Sequence, residues 1–240
     1  MPVTDPNELL DDVLFKGVLN ELFRAEQYWA LGREVSRNAS KINQTRAKYL
    51  FGDLQSLFGS QITLALNKAL EPVNPRYPIR SIPVALDILR RHSKDLKLFR
   101  RDFLIEKLIA YGFSETDLAA MSNSQITETV LQHFSANLPA SNNSDDLSQA
   151  LTALKAARDK SLAHHEAVDV SSIPKTTFQH VYDLIGYLRE FLTTVGSGYT
   201  NLRYSDDSDW FFGNNQSEDL ASDLKWVLER AGLTCPDGAT

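Results

Sequence analysis

The residues best suited to chemistry lie in one run, Leu147 to Glu166, LSQALTALKAARDKSLAHHE. Read at helical spacing, the apolar positions Leu147, Leu151 and Leu154 continue directly into Arg158, Ser161 and His165. An apolar face turns polar without leaving its stripe. An arginine on an inward face is costly unless it is paired, so Arg158 requires an acidic partner, a cleft or another subunit. The chemistry open to such a set is narrow. A guanidinium can grip an oxyanion with two parallel hydrogen bonds and stabilise charge building on it. An imidazole can give or take a proton near neutral pH. Asp159 can orient either group, and Lys160 and Ser161 add a cation and a hydroxyl beside them.

Two histidines compete for the role. Seven positions on an ideal helix turn about 700°, so His165 falls within about 20° of Arg158, whereas His164 falls about 120° away. Geometry therefore favours His165. Both also have a plain alternative, in which a histidine near a helix C-terminus caps free carbonyls and interacts with the dipole. The corresponding alternative for Arg158 is an ion pair within its helix or a structural contact between subunits.

The elements that must position this run are helices. Asp5-Pro6 opens the first one, with Leu9, Leu10, Val13, Leu14, Val18, Leu19 and Leu22 at helical spacing. The stretch from Glu21 to Val35 continues the pattern. A long helix is predicted from Ile42 to Leu70, stopped by Glu71-Pro72, and two further prolines, Pro75 and Pro78, mark an extended link. Ser81 is the expected cap of the next helix, and shorter helices are expected over Phe103 to Tyr111 and Ile126 to Phe134. Leu138 to Asp146 reads as a loop, after which the Leu147 helix runs to about His165. Phe178 to Val195 carries a regular stripe, ended by Gly196 and Gly198. An irregular aromatic segment over 199–216, including Trp210, Phe211 and Phe212, precedes a terminal helix at about 218–230. Alternation of period two is absent over any useful length. The fold class is all-α, a helical bundle of long antiparallel helices with short connections, forming one domain over 1–240.

Composition narrows the function further. The chain has 240 residues and a formal net charge of −6, which argues against a protein that coats nucleic acid with its whole surface but leaves room for a local basic cleft. The charge is uneven. Arg76, Arg80, Arg90, Arg91, Lys94, Lys97, Arg100 and Arg101 face only Asp87 and Asp95 in their stretch, and the run from Ser205 to Asp223 is acidic. Solvated helix faces and loop are the preferred reading of both runs. In Phe99 to Lys107, FRRDFLIEK, basic and aromatic residues are interleaved in a way that suits RNA, although an amphipathic helix explains them too. One cysteine, Cys235, rules out an internal disulfide or a cysteine-rich metal site, and with no signal-like start or apolar span the expected home is cytoplasmic. His92, His133 and His180 lack metal-ligand spacing with carboxylates. No metal and no cofactor is expected, and no phosphate-loop, zinc-protease, nucleophile-elbow or dinucleotide motif is present.

The run Arg158-Asp159-Lys160-Ser161-Leu162-Ala163-His164 resembles the signature of the HEPN superfamily: an arginine, a polar residue, a few more positions, then a histidine. Trp29 in the first helical region, a long helical region with Arg46 and Phe58, and a Pro-interrupted link into Ser81-Ile-Pro-Val-Ala-Leu resemble the AbiU2 (abortive infection) subgroup, over roughly Leu14 to Gly232. The resemblance implies a metal-independent ribonuclease in which two copies of the motif helix line a shared groove about a dyad. Arg158, Asp159 and His164 are the implied catalytic residues, with His165 second to His164 because Leu-Ala precedes the histidine in the family pattern. Lys160 and Ser161 are implied to touch substrate. RNA is the implied substrate, a homodimer the implied state, and an antitoxin of unknown type a possible partner. Some HEPN toxins carry a tyrosine two places after the histidine, where a nucleotidyltransferase modifies it; here that place holds Glu166, which speaks against such an antitoxin. The competing class is a non-catalytic helical dimer that binds RNA, a nucleotide or a protein partner; a small-molecule regulator using the bundle core is a third.

Overall fold

Asp5 and Pro6 begin the first helix in the manner their types dictate. The Asp5 carboxylate accepts a hydrogen bond from the Asn7 amide at 2.9 Å, and Pro6 takes a position that needs no amide donor. The computed structural model describes residues 5–139, 146–157, 177–201 and 214–235. Helix α1 (Pro6–Val13) passes through a π-turn at Leu14–Val18 into α2 (Leu19–Arg37) without interruption. The widened turn rotates the apolar stripe, so the two sequence patterns belong to one continuous rod.

A short α3 (Ala39–Ile42) follows, and α4 starts only at Lys48 and runs to Ala69. The predicted start at Ile42 is displaced because Thr45 makes its own turn: its hydroxyl donates to the Ile42 carbonyl at 2.9 Å and accepts from the Ala47 amide at 3.1 Å. Arg46 consequently lies in this connection, ahead of the helix. After the proline-rich link, α5 (Ile82–Arg91) begins behind Ser81, whose side chain does not cap it. The Ser81 hydroxyl instead donates to the Glu71 carbonyl at 2.7 Å and closes the link.

Helices α6 (Arg101–Ala110), α7 (Glu115–Ala120) and α8 (Asn123–Ala136) come next. Gly112, at φ +93°, turns the chain out of α6, and Ser122 and Gln125 form a reciprocal capping box at α8. Helix α9 (Asp146–Ala157) precedes α10 (Phe178–Phe191), where Thr177 and His180 form a second such box. A π-turn at Leu192–Gly196 leads into α11 (Ser197–Tyr199). The expectation that Gly196 and Gly198 end this helix is corrected: the chain stays helical through both. Gly198 is there for closeness, since a Cβ on it would overlap the Leu104 side chain. The terminal helix α12 (Asn214–Arg230) begins ahead of the expected 218.

The protein is all-α, with no strand among the described residues. Helices α2 and α4 pack along their lengths, α12 lies on α2, and α9 and α10 complete the bundle against α4 and α2. At the other end, α1, α5, α6 and α8 enclose Leu104, Ile126, Val130 and Phe134, and the core is continuous between the two ends. Tyr199, fully buried here, donates from its hydroxyl to Thr127 Oγ1 at 3.0 Å. No helix among the described residues is long and apolar enough to cross a membrane.

Candidate functional site

Helix α9 delivers the chain to the motif. Ala150, Leu151, Ala153 and Leu154 are buried, and α9 packs on α10 and α4, so the stripe that leads to Arg158 faces the bundle interior. Leu147, one end of that stripe, is half-buried. Arg158, Asp159, Lys160, Ser161, His164 and His165 lie outside the described residues, as does the aromatic run Trp210, Phe211 and Phe212.

The described residues that flank the motif meet at a cleft. Leu154 on α9 and Thr177 and Phe178 at the start of α10 form one side of a cavity of about 550 Å³. Trp29, Gly32 and Ser36 of α2 and Gln55, Ser56, Gly59, Ser60 and Thr63 of α4 form the other. These positions recur every three or four residues, so two helix faces of small and hydroxylated residues oppose each other. Trp29 packs on Phe178 with ring centroids 5.3 Å apart, and Phe178 is 65% exposed. None of the described lining residues carries a formal charge. Nothing in the composition advertised this cleft; the signal was the pairing of glycines within otherwise strong helical patterns, Gly32 and Gly59.

Two further polar groups are set into the bundle. Glu26 of α2, 3% exposed, accepts from Arg189 Nε of α10 at 2.5 Å, while its other oxygen has no partner among the described residues. Burial raises the Glu26 carboxyl above its ordinary range against the opposing pull of the Arg189 charge. At the far side of α10, His133 stacks on Tyr111 with centroids 4.0 Å apart, and Tyr111 bonds Thr194 Oγ1 at 2.7 Å. Burial lowers the His133 pKa, and the nearby Glu190 charge works the other way. His180 is occupied as a helix cap, and among the described residues no group of three His, Cys, Asp or Glu is placed to hold a metal ion.

The family model for AbiU2, a HEPN family, matches residues 12–224. The chain belongs to the AbiU2 family. No curated protein and no solved structure matches it. The match spans the cleft, the buried ion pair and the motif alike.

In this AbiU2 protein the basic run from Arg76 to Arg101 is partly spent on structure. Arg80 pairs with Asp12 at 2.7 Å, Arg91 pairs with Asp87 at 2.9 Å, and Arg101 donates to the Met121 carbonyl at 2.8 Å. Arg100 and Lys107 both cover the Phe103 ring, at 4.6 and 5.5 Å. Arg100 and Lys107 are thus engaged by the Phe103 ring, while Leu104 and Leu108 of α6 are buried in the core.

Proposed function

We propose that this AbiU2 protein is a metal-independent endoribonuclease of the HEPN type that acts as a toxin or phage-defence effector in abortive infection. The observation that carries the reading is the Arg158-to-His164 motif at the end of the buried α9 stripe, in a chain matched to AbiU2 over residues 12–224. In this reaction the substrate brings its own nucleophile, the ribose 2′-hydroxyl. The His164 imidazole takes the 2′ proton as the oxygen attacks phosphorus, and the 5′ oxygen leaves, collecting a proton from a second acid. The Arg158 guanidinium holds the phosphate and stabilises the charge gathered on its oxygens, and Asp159 orients one of the two. The products are a 2′,3′-cyclic phosphate and a 5′-hydroxyl. Lys160 and Ser161 contact the strand, His165 stands second to His164, and two protomers share the groove in the cytoplasm. No cofactor takes part.

The test compares wild type with Arg158→Ala and His164→Ala on RNA. Loss of cleavage in both, with helical content and unfolding midpoint retained, is the expected result; cleavage by Arg158→Ala at the wild-type rate overturns the reading. A second reading, a non-catalytic helical dimer that binds RNA, a nucleotide or a protein partner, is favoured by exposed Tyr49, Leu50 and Trp226, at 71%, 60% and 57%. Growth separates the two. An active ribonuclease slows its host on expression and His164→Ala does not, whereas a binding module leaves both strains equal.

A further inference from the structure

We infer that the cavity between α8 and α10, bordered by Leu147 of α9, binds an aliphatic polyamine. The inference is independent of the ribonuclease reading. The cavity measures about 450 Å³, within the roughly 300–1,000 Å³ of sites that enclose small ligands. Its charge is one-sided. Asp183 and Glu190 of α10 both line it, and among the described residues neither has an ion-pair partner. Asp183 accepts from the Gln179 amide at 2.6 Å, a neutral donor that leaves its charge in place. Residues 140–145, which lie in sequence between the α8 and α9 walls, carry no Lys or Arg and add one acid, Asp145. His133 is the one basic type among the described lining residues. Burial lowers its pKa from 6.5, against the pull of the Glu190 charge, so the imidazole is neutral at pH 7 and does not oppose a cation.

The spacing of the two acids and the surface between them select the ligand. Asp183 and Glu190 stand seven positions apart on one helix, so they share a face with their Cα atoms about 10.5 Å apart along its axis. No third His, Cys, Asp or Glu among the described residues joins them to hold a metal ion. The spacing fits a chain with an ammonium group at each end, such as extended spermidine. The surface between the acids is aromatic. Tyr187 and Phe134 meet edge to face with centroids 6.3 Å apart, and Tyr187 is 5% exposed. The Tyr187 hydroxyl already donates to the Phe134 carbonyl at 3.2 Å, so this floor offers rings and not a free polar group. Methylenes of a polyamine gain from covering it. Tyr182, 57% exposed at the rim, adds a ring face that attracts an ammonium. A fatty chain would leave the carboxylates unmatched, and an inorganic cation would leave the rings uncovered. The polyamine uses both.

The experiment titrates the full chain with spermidine at low salt and reads binding by calorimetry. Butylamine is the control with one charge, and magnesium chloride is the inorganic control. Asp183 is half-buried and Glu190 exposed, so each end contributes a modest factor. Asp183→Asn and Glu190→Gln are each expected to weaken spermidine binding about threefold to fivefold, and the double variant about tenfold or more. Butylamine is expected to bind the parent about tenfold more weakly than spermidine. Glu218→Gln, which removes an exposed acid on α12, is expected to change nothing. The assignment is wrong if the parent does not bind spermidine, or if the folded double variant binds it equally well. It is also wrong if Glu218→Gln weakens binding as much as Glu190→Gln does, or if magnesium displaces spermidine at equal concentration, since either marks mere attraction to an acidic surface. A lysine-rich peptide that binds far more tightly than spermidine, and loses that affinity in the double variant, overturns the polyamine in favour of a basic side chain of a protein partner. None of these readouts involves RNA cleavage, so failure here leaves the ribonuclease reading standing.

Discussion

The two ends of the molecule use glycine for opposite purposes. At the end built from α1, α5, α6 and α8, Gly17 and Gly198 let elements touch: a Cβ on the first would overlap Arg80, and one on the second would overlap Leu104. Both glycines lie at or beside π-turns, Leu14–Val18 and Leu192–Gly196, which contact each other. At the cleft, Gly32 and Gly59 face open space. The nearest atom to a Cβ on Gly32 is Phe58 Cδ2 at 4.0 Å, and Gly59 has nothing that close. One end is closed by missing side chains; at the other, glycines line an opening. Closure fixes the frame; the opening lies where the chain enters and leaves the motif segment.

Substitutions can break or sharpen this contrast. The largest effect on stability is expected at the ion pair on α2, the helix that runs from the closed end to the cleft. Arg189→Ala leaves the Glu26 carboxylate buried without its partner, at a cost of about 3–5 kcal/mol at neutral pH, read from urea unfolding. The sign of its pH dependence follows from the raised Glu26 carboxyl. Stability from this group is fully present below the ordinary value of 4.5 and is lost as pH rises through the folded value, so acidification shrinks the deficit of Arg189→Ala. A deficit that grows toward pH 4 would contradict the assignment.

Next in size are Gly17→Ala and Gly198→Ala, each expected to lose about 1–3 kcal/mol or more, because the added methyl meets packed atoms. Gly17 should be the worse of the two, since it meets backbone as well as side chain, and backbone yields least. Gly59→Ala is expected to go the other way and gain about 0.5–1 kcal/mol from helix propensity alone. Outcomes of opposite sign at the two ends support the contrast; destabilisation by Gly59→Ala would erase it. The smallest effect is at His133. Its lowered pKa means that stability is present above the ordinary value of 6.5 and is lost as pH falls through the folded value, so His133→Phe should flatten the thermal midpoint between pH 7 and pH 5.

Much of the frame was legible in the sequence for local reasons. Asp5-Pro6, the proline link after Glu71, Gly112 and the stripes of α4 and α10 each act through residues within a few positions of one another. Two elements differ because a distant contact decided, and one because a polar side chain made its own local turn. Gly198 looks like a terminator until Leu104 is placed against it, and Ser81 looks like a cap until its hydroxyl meets the Glu71 carbonyl. Thr45 overrode a good stripe by making its own turn. At the site, the approach of α9 was readable because Leu151 and Leu154 share one face, while the cleft was not, since it takes residues from α2, α4, α9 and α10 at once. The buried Glu26 was equally hidden: in sequence it is one acid among many on a helix.

The most direct measurement is incubation of wild type and Arg158→Ala with total RNA in EDTA, followed by analysis of the new ends. The account predicts cleavage by wild type alone, leaving 2′,3′-cyclic phosphate and 5′-hydroxyl ends. Cleavage that EDTA abolishes, or that leaves 5′-phosphate ends, would contradict the metal-independent mechanism built on Arg158 and His164.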